Sequence, residues 1–229
     1  MKKTLLFACL LALCNLTLFA QTVKSHRIMH TTPKSAVHVP PQEPDVASKV
    51  ALKKIYSNLG KSKTDLYNCC TAYGLWGPNS GWGSAGSSSF AAIPFTPKSN
   101  STVMQAQAAL QENNGGTNSN QINLSIYSDA SGTPGTLLTG PVTITNLPNW
   151  GTCCTLAIAN FTPTVAVTAG TQYWLVADGP LSGTGSDFGA MWDLVYITFP
   201  MSFDESDAGW FAATVDDGLP AGEVLGTIP

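Results

Sequence analysis

Apolar and polar residues alternate along residues 121–145 in the way that is typical of a β-hairpin. Successive side chains of a strand point to opposite faces, so the first half has an apolar face (Ile122, Leu124, Ile126) and a second face (Asn123, Ser125, Tyr127). Residues 129–135 combine Gly, Pro, Asp and Ser, which are turn-forming residues, and the chain then runs extended again. This stretch predicts a strand, a turn and a second strand.

The same style of short strand between turn-forming residues continues from Tyr67 to the C-terminus. We expect strands at residues 67–73, 90–95, 102–110, 121–128, 137–145, 154–161, 164–167, 171–178, 188–198, 210–215 and 223–228. Short strands separated by Gly-, Pro- and Asn-rich turns favour antiparallel pairing over parallel βαβ units. The predicted fold class is therefore all-β, an antiparallel β-sandwich of jelly-roll-like form.

The segment before Tyr67 has a different pattern. Residues 21–44 contain four prolines and no periodicity, which predicts a flexible basic spacer. Residues 45–60 carry apolar residues at helical spacing between an N-capping Asp45 and a terminal Gly60, which predicts a short amphipathic helix. The predicted domains are a signal peptide (1–20), the spacer (21–44), the helix and linker (45–66) and the sandwich (67–229).

The first twenty residues have the form of a secretory signal peptide. Lys2 and Lys3 precede a short apolar run at residues 5–13, and Ala20 offers a small residue for cleavage before Gln21. That run is too short to span a membrane. We expect a secreted or cell-surface protein, exported through a cleaved signal peptide and without stable membrane insertion.

Charge is distributed unevenly between the two parts of the mature chain. Residues 21–66 carry eight bases and three acids, whereas residues 67–229 carry one base, Lys98, and eleven acids. Either the acidic domain provides solubility behind a basic leader, or the basic arm docks on the acidic domain or on an anionic cell surface; the pattern leaves both open. A domain with a net charge of −10 repels phosphate, so we expect no nucleic-acid partner.

After removal of the signal peptide, four cysteines remain as two adjacent pairs, Cys69-Cys70 and Cys153-Cys154. Export to an oxidising compartment favours disulfides. If the pairs lie on antiparallel neighbouring strands, the register requires Cys69–Cys154 and Cys70–Cys153. Bridges within each pair are the alternative; a zinc site is disfavoured because the usual two-residue spacing between ligands is missing.

The predicted sandwich has no histidine, because all three lie in the spacer at positions 26, 30 and 38. A Ser-His-Asp or Cys-His site is therefore excluded from residues 67–229, and no phosphate loop or H-E-x-x-H motif is present. A glycosidase or a structural calcium ion would need carboxylates. The candidates are Asp187, Asp193, Asp204, Glu205, Asp207, Asp216 and Asp217. We predict no cofactor and no enzymatic activity.

Exposed aromatic side chains are the other route by which a β-sandwich binds ligands, through stacking on sugars or on a partner protein. Four tryptophans lie in or beside Gly-, Pro- or Asn-rich segments and are candidate ligand contacts: Trp76, Trp82, Trp150 and Trp210. Packing in the core is the alternative for each. Trp174 and Trp192 fall inside predicted strands.

Four passages together resemble a known family: FAAIPFTPKSNSTV at 90–103, LSIYSDASGTPGTLL at 124–138, NLPNWGTCCTLAIANF at 146–161 and AGTQYWLVAD at 169–178. They are similar to the choice-of-anchor R domain of exported bacterial proteins. The resemblance implies an extracellular β-sandwich without an established activity, so it assigns no site residue. The final residues, EVLGTIP, lack the apolar helix or sorting motif of anchored members, and we expect release from the cell.

These observations predict an exported, non-catalytic module that binds extracellular glycan, matrix or a surface protein. Two alternatives remain, a self-associating matrix component and a carboxylate-based glycan hydrolase. Nothing in the sequence indicates the oligomeric state.

Overall fold

The computed structural model describes residues 51–62, 66–77, 89–112, 120–179, 189–195, 200–205, 210–214 and 219–229. Over these residues the chain forms strands, turns and extended segments and no helix. The strands are β1 (Lys53–Ser57), β2 (Asn68–Trp76), β3 (Ser89–Phe95), β4 (Ser101–Ala108), β5 (Leu110–Glu112), β6 (Gln121–Asp129), β7 (Pro134–Thr145), β8 (Ala157–Val167), β9 (Tyr173–Asp178), β10 (Gly189–Val195), β11 (Pro200–Glu205), β12 (Trp210–Thr214), β13 (Leu219–Pro220) and β14 (Gly222–Thr227).

The strands form two antiparallel sheets. The smaller sheet has the order β1-β14-β4-β8, and the larger one has the order β13-β10-β2-β3-β9-β6-β7. In the larger sheet, β5 pairs with β10, and the hairpin β11–β12 pairs with β3. The all-β sandwich predicted from the sequence is confirmed.

One apolar core lies between the two sheets. Val103, Ala106 and Val224 of the smaller sheet and Ile93 and Leu175 of the larger one belong to the same buried cluster. The layers approach closely at Gly222, where a Cβ atom would lie 3.5 Å from both Ile93 Cδ1 and Leu175 Cδ2 and only 3.0 Å from the Gln107 carbonyl oxygen. Because successive side chains of a strand point to opposite faces, every second residue of these strands points away from the core.

Trp192 is part of this core rather than of any surface. Its side chain is fully buried, and its Nε1–H donates to the Ala221 carbonyl oxygen at 2.9 Å. The indole thus fills space in the core while its single polar group is satisfied.

The predicted helix is wrong over Lys53–Ser57, which forms β1, and residues 45–50 lie outside the described part of the chain. β1 pairs with β14, and a register shift between Lys54 and Tyr56 lets both Ile55 and Tyr56 pack on the core. Pairing with β14 satisfies backbone groups and buries Ile55, which outweighs the weak helical preference of the sequence. The folded unit therefore includes residues before Tyr67, earlier than the domain boundary inferred from charge.

Removal of β1 tests whether this strand belongs to the folded unit. A fragment of residues 67–229 should have a free energy of unfolding at least about 3 kcal/mol lower than a fragment of residues 48–229, because it loses the burial of Ile55 and leaves Glu223 without Lys54. Urea denaturation followed by circular dichroism measures the difference. Equal midpoints for the two fragments would contradict the role assigned to β1.

The strand predictions from residue 67 onward mostly agree with the structure, but some differ. Residues 102–110 divide into β4 and β5, and the two predicted strands at 154–161 and 164–167 form one strand, β8. β11 was not predicted. Among the described residues, no helix has the length and apolar character needed to cross a membrane.

Candidate functional site

The predicted disulfide pairing is wrong, because Cys153 and Cys154 are bonded to each other. Cys69 and Cys70 lie on β2, which pairs with β10 and β3. Cys153 and Cys154 lie before β8, a strand of the other sheet that pairs with β4. The two cysteine pairs therefore never face each other across neighbouring strands, and that pairing was the premise of the prediction.

The segment that carries this disulfide, residues 146–156, is held in place by Gln111. The Gln111 Nε2 group donates to the Thr152 carbonyl oxygen at 2.9 Å, and its Oε1 atom accepts from the Gly151 amide at 2.6 Å. Tyr67 supports the same segment, since its hydroxyl donates to the Thr155 carbonyl oxygen at 2.9 Å. These contacts make the segment a fixed part of the fold, which points to a structural role.

Asp193 completes this network. Gln111 Nε2 donates to Asp193 Oδ2 at 2.7 Å, whereas Asp193 Oδ1 has no hydrogen-bond partner within the described part of the chain. Burial raises the pKa of Asp193 to about 8, although the hydrogen bond from Gln111 opposes the rise. Asp193 is thus neutral at pH 7 and serves as a buried structural acid in this network.

A second group of side chains lies on the opposite side of the larger sheet from the core. Because Leu124, Ile126, Leu175 and Ala177 point into the core, their neighbours on β6 and β9 point outward. We call this surface the outer aromatic face and define it by Ala92, Asn123, Ser125, Tyr127, Trp174, Val176, Asp178 and Trp210.

Small buried residues form the floor of the outer aromatic face. Val176 on β9 pairs with Ser125 on β6 and with Ala92 on β3, and all three are fully buried. The Ser125 hydroxyl has no hydrogen-bond partner among the described residues. A buried hydroxyl without a partner costs about 1–3 kcal/mol, so this floor retains an unused polar group.

Three aromatic side chains lie over or beside this floor. Trp174 is 2% exposed and forms a small apolar cluster with Ala92 and Val176, separate from the main core. Tyr127, which pairs with Trp174 in the ladder, and Trp210 are half-buried and pack against this cluster. Trp210 also packs against the main core and remains partly exposed.

Asp129, the last residue of β6, fixes the orientation of Trp174. Its Oδ1 atom accepts from Trp174 Nε1 at 2.9 Å and from Gln172 Nε2 at 2.8 Å. Burial opposes ionisation of Asp129, but these hydrogen bonds and one from the Gly132 amide outweigh it and hold its pKa below the ordinary value. The indole of Trp174 is therefore locked by a charged acceptor.

The other end of the outer aromatic face is polar. Thr143 donates to Asn123 Oδ1 at 2.7 Å, and the Asn123 amide donates in turn to Asp178, its neighbour in the ladder. Burial raises the pKa of Asp178 to about 7, although the hydrogen bond from Asn123 opposes the rise. Burial and, to a lesser extent, the charge of Asp178 raise the pKa of Tyr127 to about 12. A partly exposed carboxyl group and a partly exposed phenol thus lie beside a buried amide on this face.

The structure brings one of the four predicted ligand-contacting tryptophans, Trp210, to the outer aromatic face. Trp150 lies half-buried in the disulfide segment, Trp76 is on β2 with a side chain outside the description, and Trp82 is outside the described residues. Sequence reasoning considered only tryptophans in or beside turn-rich segments as ligand contacts, and it therefore missed Trp174, which falls inside a strand, and Tyr127. The alternation of β6 did signal that Tyr127 points away from the core.

Of the predicted carboxylates, the structure describes the side chain of Asp193. Asp193 is in the disulfide network, and Asp204 and Glu205 are on β11 with side chains outside the description. The remaining candidates, Asp187, Asp207, Asp216 and Asp217, lie outside the described residues. Within the described part of the chain, no three His, Cys, Asp or Glu side chains are grouped to hold a metal ion.

No protein-family model matches this sequence, and no curated protein matches it.

Proposed function

We propose that this protein is an exported, non-catalytic binding module that contacts extracellular glycan through the outer aromatic face. One observation carries the proposal. The partly exposed rings of Tyr127 and Trp210 lie on the same sheet face as the hydrogen-bonding groups of Asn123 and Asp178. A sugar ring offers one apolar face and a rim of hydroxyls. Such a ligand is matched by an aromatic surface with a few fixed polar groups.

The rigidity of this face supports the same proposal. Trp174 is held by Asp129, and Asn123 is held by Thr143, so the polar and aromatic groups are positioned before any ligand arrives. Preorganised side chains lose little conformational entropy on binding. Membership of the choice-of-anchor R family, which the sequence resembles, accords with an extracellular role, and we include it in the proposal.

A glycan array with the full-length chain, followed by titration calorimetry on the best-binding oligosaccharide, tests the proposal. Replacing Tyr127 with alanine should weaken that binding by about tenfold, because one stacked or packed aromatic contact contributes about 1.4 kcal/mol. Trp150→Ala is the matched control, since it removes a half-buried ring from the disulfide segment and should leave affinity unchanged. Absence of binding across the array, or equal losses in both variants, would contradict the proposal.

Self-association is a second candidate, and a specific observation favours it. Ile158 is 49% exposed on β8, which is an edge strand of the smaller sheet. An edge strand with an exposed apolar side chain offers a surface for association between molecules. Ile158→Lys should shift a concentration-dependent oligomer to monomer in analytical ultracentrifugation, and an unchanged sedimentation profile would remove this candidate.

A further inference from the structure

The charge of the chain restricts which glycan the outer aromatic face can accept. The folded unit, residues 48–229, contains twelve acids and six bases, five of which precede Tyr67. Glycans that carry carboxylates, sulfates or phosphates are repelled by such a field. The ligand of this face is therefore neutral or positively charged.

Acidic positions occur on both β9 and β11, the strands that pair with β3 beside this face. Residues 178–217 contain eight acidic residues and no Lys or Arg. The register places Asp204 opposite Phe90 and Glu205 opposite Ser89, and it places Ala177 opposite Ala91. Asp178 and the two acidic positions of β11 thus occupy the same end of the sheet around β3.

Asp178 itself is half-buried and receives a hydrogen bond from Asn123, with no ion pair to Lys, Arg or His in the described part of the chain. Burying a carboxylate without a counter-ion is unfavourable, and its pKa near 7 reflects this cost. An ammonium group on a ligand would supply the missing positive charge. The aromatic rings of Tyr127 and Trp210 add to this preference because their faces attract cations.

The buried Ser125 hydroxyl is an independent sign of an unfilled polar requirement on the same face. It lies between Asn123 and Tyr127 on β6 and has no hydrogen-bond partner among the described residues. We infer that the outer aromatic face binds amine-bearing glycans, of which polyglucosamine is the simplest, in preference to neutral or acidic ones. This inference rests on the proposed function and names the ligand class of the same face.

Two oligosaccharides with the same backbone test the inference on the full-length chain. Hexaglucosamine carries free amines, and hexa-N-acetylglucosamine carries the same sugars with each amine acetylated. Calorimetry at pH 7 should give about tenfold tighter binding of hexaglucosamine, which corresponds to one favourable ion pair. The difference should shrink at about 0.5 M salt, because the interaction is partly screened.

Asp178→Asn should reduce the preference for hexaglucosamine to less than about threefold. It keeps the shape of the side chain and the contact with Asn123, so the fold is preserved, and a melting curve verifies this. Glu112→Gln is the matched control, because it removes one negative charge from β5 and should keep the preference intact.

Each outcome of this experiment decides a separate point. Equal affinity for the two hexamers overturns the amine preference and leaves the proposed glycan function standing. Binding of neither hexamer overturns the amine preference as well, and the glycan array then decides the proposed function. Spermidine that competes as well as hexaglucosamine contradicts recognition of the sugar. Loss of the preference in Glu112→Gln contradicts the role of Asp178.

Discussion

Raising the pH from about 4 to about 8 is expected to lower the free energy of unfolding by up to about 5 kcal/mol through Asp193 alone. In the unfolded chain this carboxyl ionises near pH 4, whereas in the folded protein it stays protonated up to about pH 8. Between these values folding takes up a proton, so stability is highest at the acidic end and is lost as the pH rises. Urea denaturation across this range measures the slope.

Asp193→Asn should remove most of this dependence. The asparagine Oδ1 atom can accept the hydrogen bond from Gln111 as the carboxyl oxygen does, and the side chain never ionises. At pH 8 the variant should melt about 10 °C higher than the original protein. Asp178 contributes a slope of similar size in the same direction, but only up to about pH 7, and that part should remain.

Glu112→Gln is the control for this prediction as well, because it neutralises a half-buried carboxylate on the neighbouring strand. Its stability should keep the full dependence on pH. A slope in Asp193→Asn equal to that of the original protein would show that Asp193 does not control it.

Gly226→Ala is expected to lower the free energy of unfolding by about 3 kcal/mol or to prevent folding. A Cβ atom at this position would overlap the Thr102 carbonyl oxygen of β4 and would lie 3.0 Å from Ile55 Cδ1 of β1. Both neighbours of β14 would have to move, and one of the obstacles is backbone, which cannot rotate away. The glycine is therefore required where β1, β14 and β4 pair.

The matched variant is Gly170→Ala, which adds the same methyl group in a turn with nothing within 4 Å. Its φ of +75° disfavours alanine, so we expect a loss of about 1 kcal/mol. Thermal unfolding of both variants by calorimetry separates the two effects. A smaller loss for Gly226→Ala than for Gly170→Ala would refute the overlap.

Local patterns in the sequence were sufficient to predict the hairpin of β6 and β7 and the outward direction of Tyr127, because alternation is a property of one strand. The helix prediction failed at Ile55 because the preference of that segment is weak and its pairing with the distant β14 decides its conformation. Residues 53 and 226 are paired although almost the whole domain lies between them. No local pattern carries that information.

The candidate site depended even more on distant pairings. The outer aromatic face combines β3, β6 and β9 with Trp210 of β12, and the order of these strands in the sheet cannot be read from their individual sequences. The cysteine pairing failed for the same reason, since β2 and β8 belong to different sheets. What the sequence did provide was the type of groups available, namely aromatic rings, carboxylates and few cations.

The ion pair between Lys54 and Glu223 has a consequence for how molecules of this protein behave at high concentration. Glu223 is 8% exposed, and Lys54 of β1 is its cationic partner at 2.7 Å. If β1 came away, the vacated side of β14 would attract a donor strand from another molecule, as in domain swapping. A strand without lysine at the matching register would bury Glu223 beside no positive charge, whereas β1 of a second copy would supply Lys54 again. The ion pair therefore selects β1 over other strands as the partner of β14, and exchange of β1 between copies is the form of self-association that it permits.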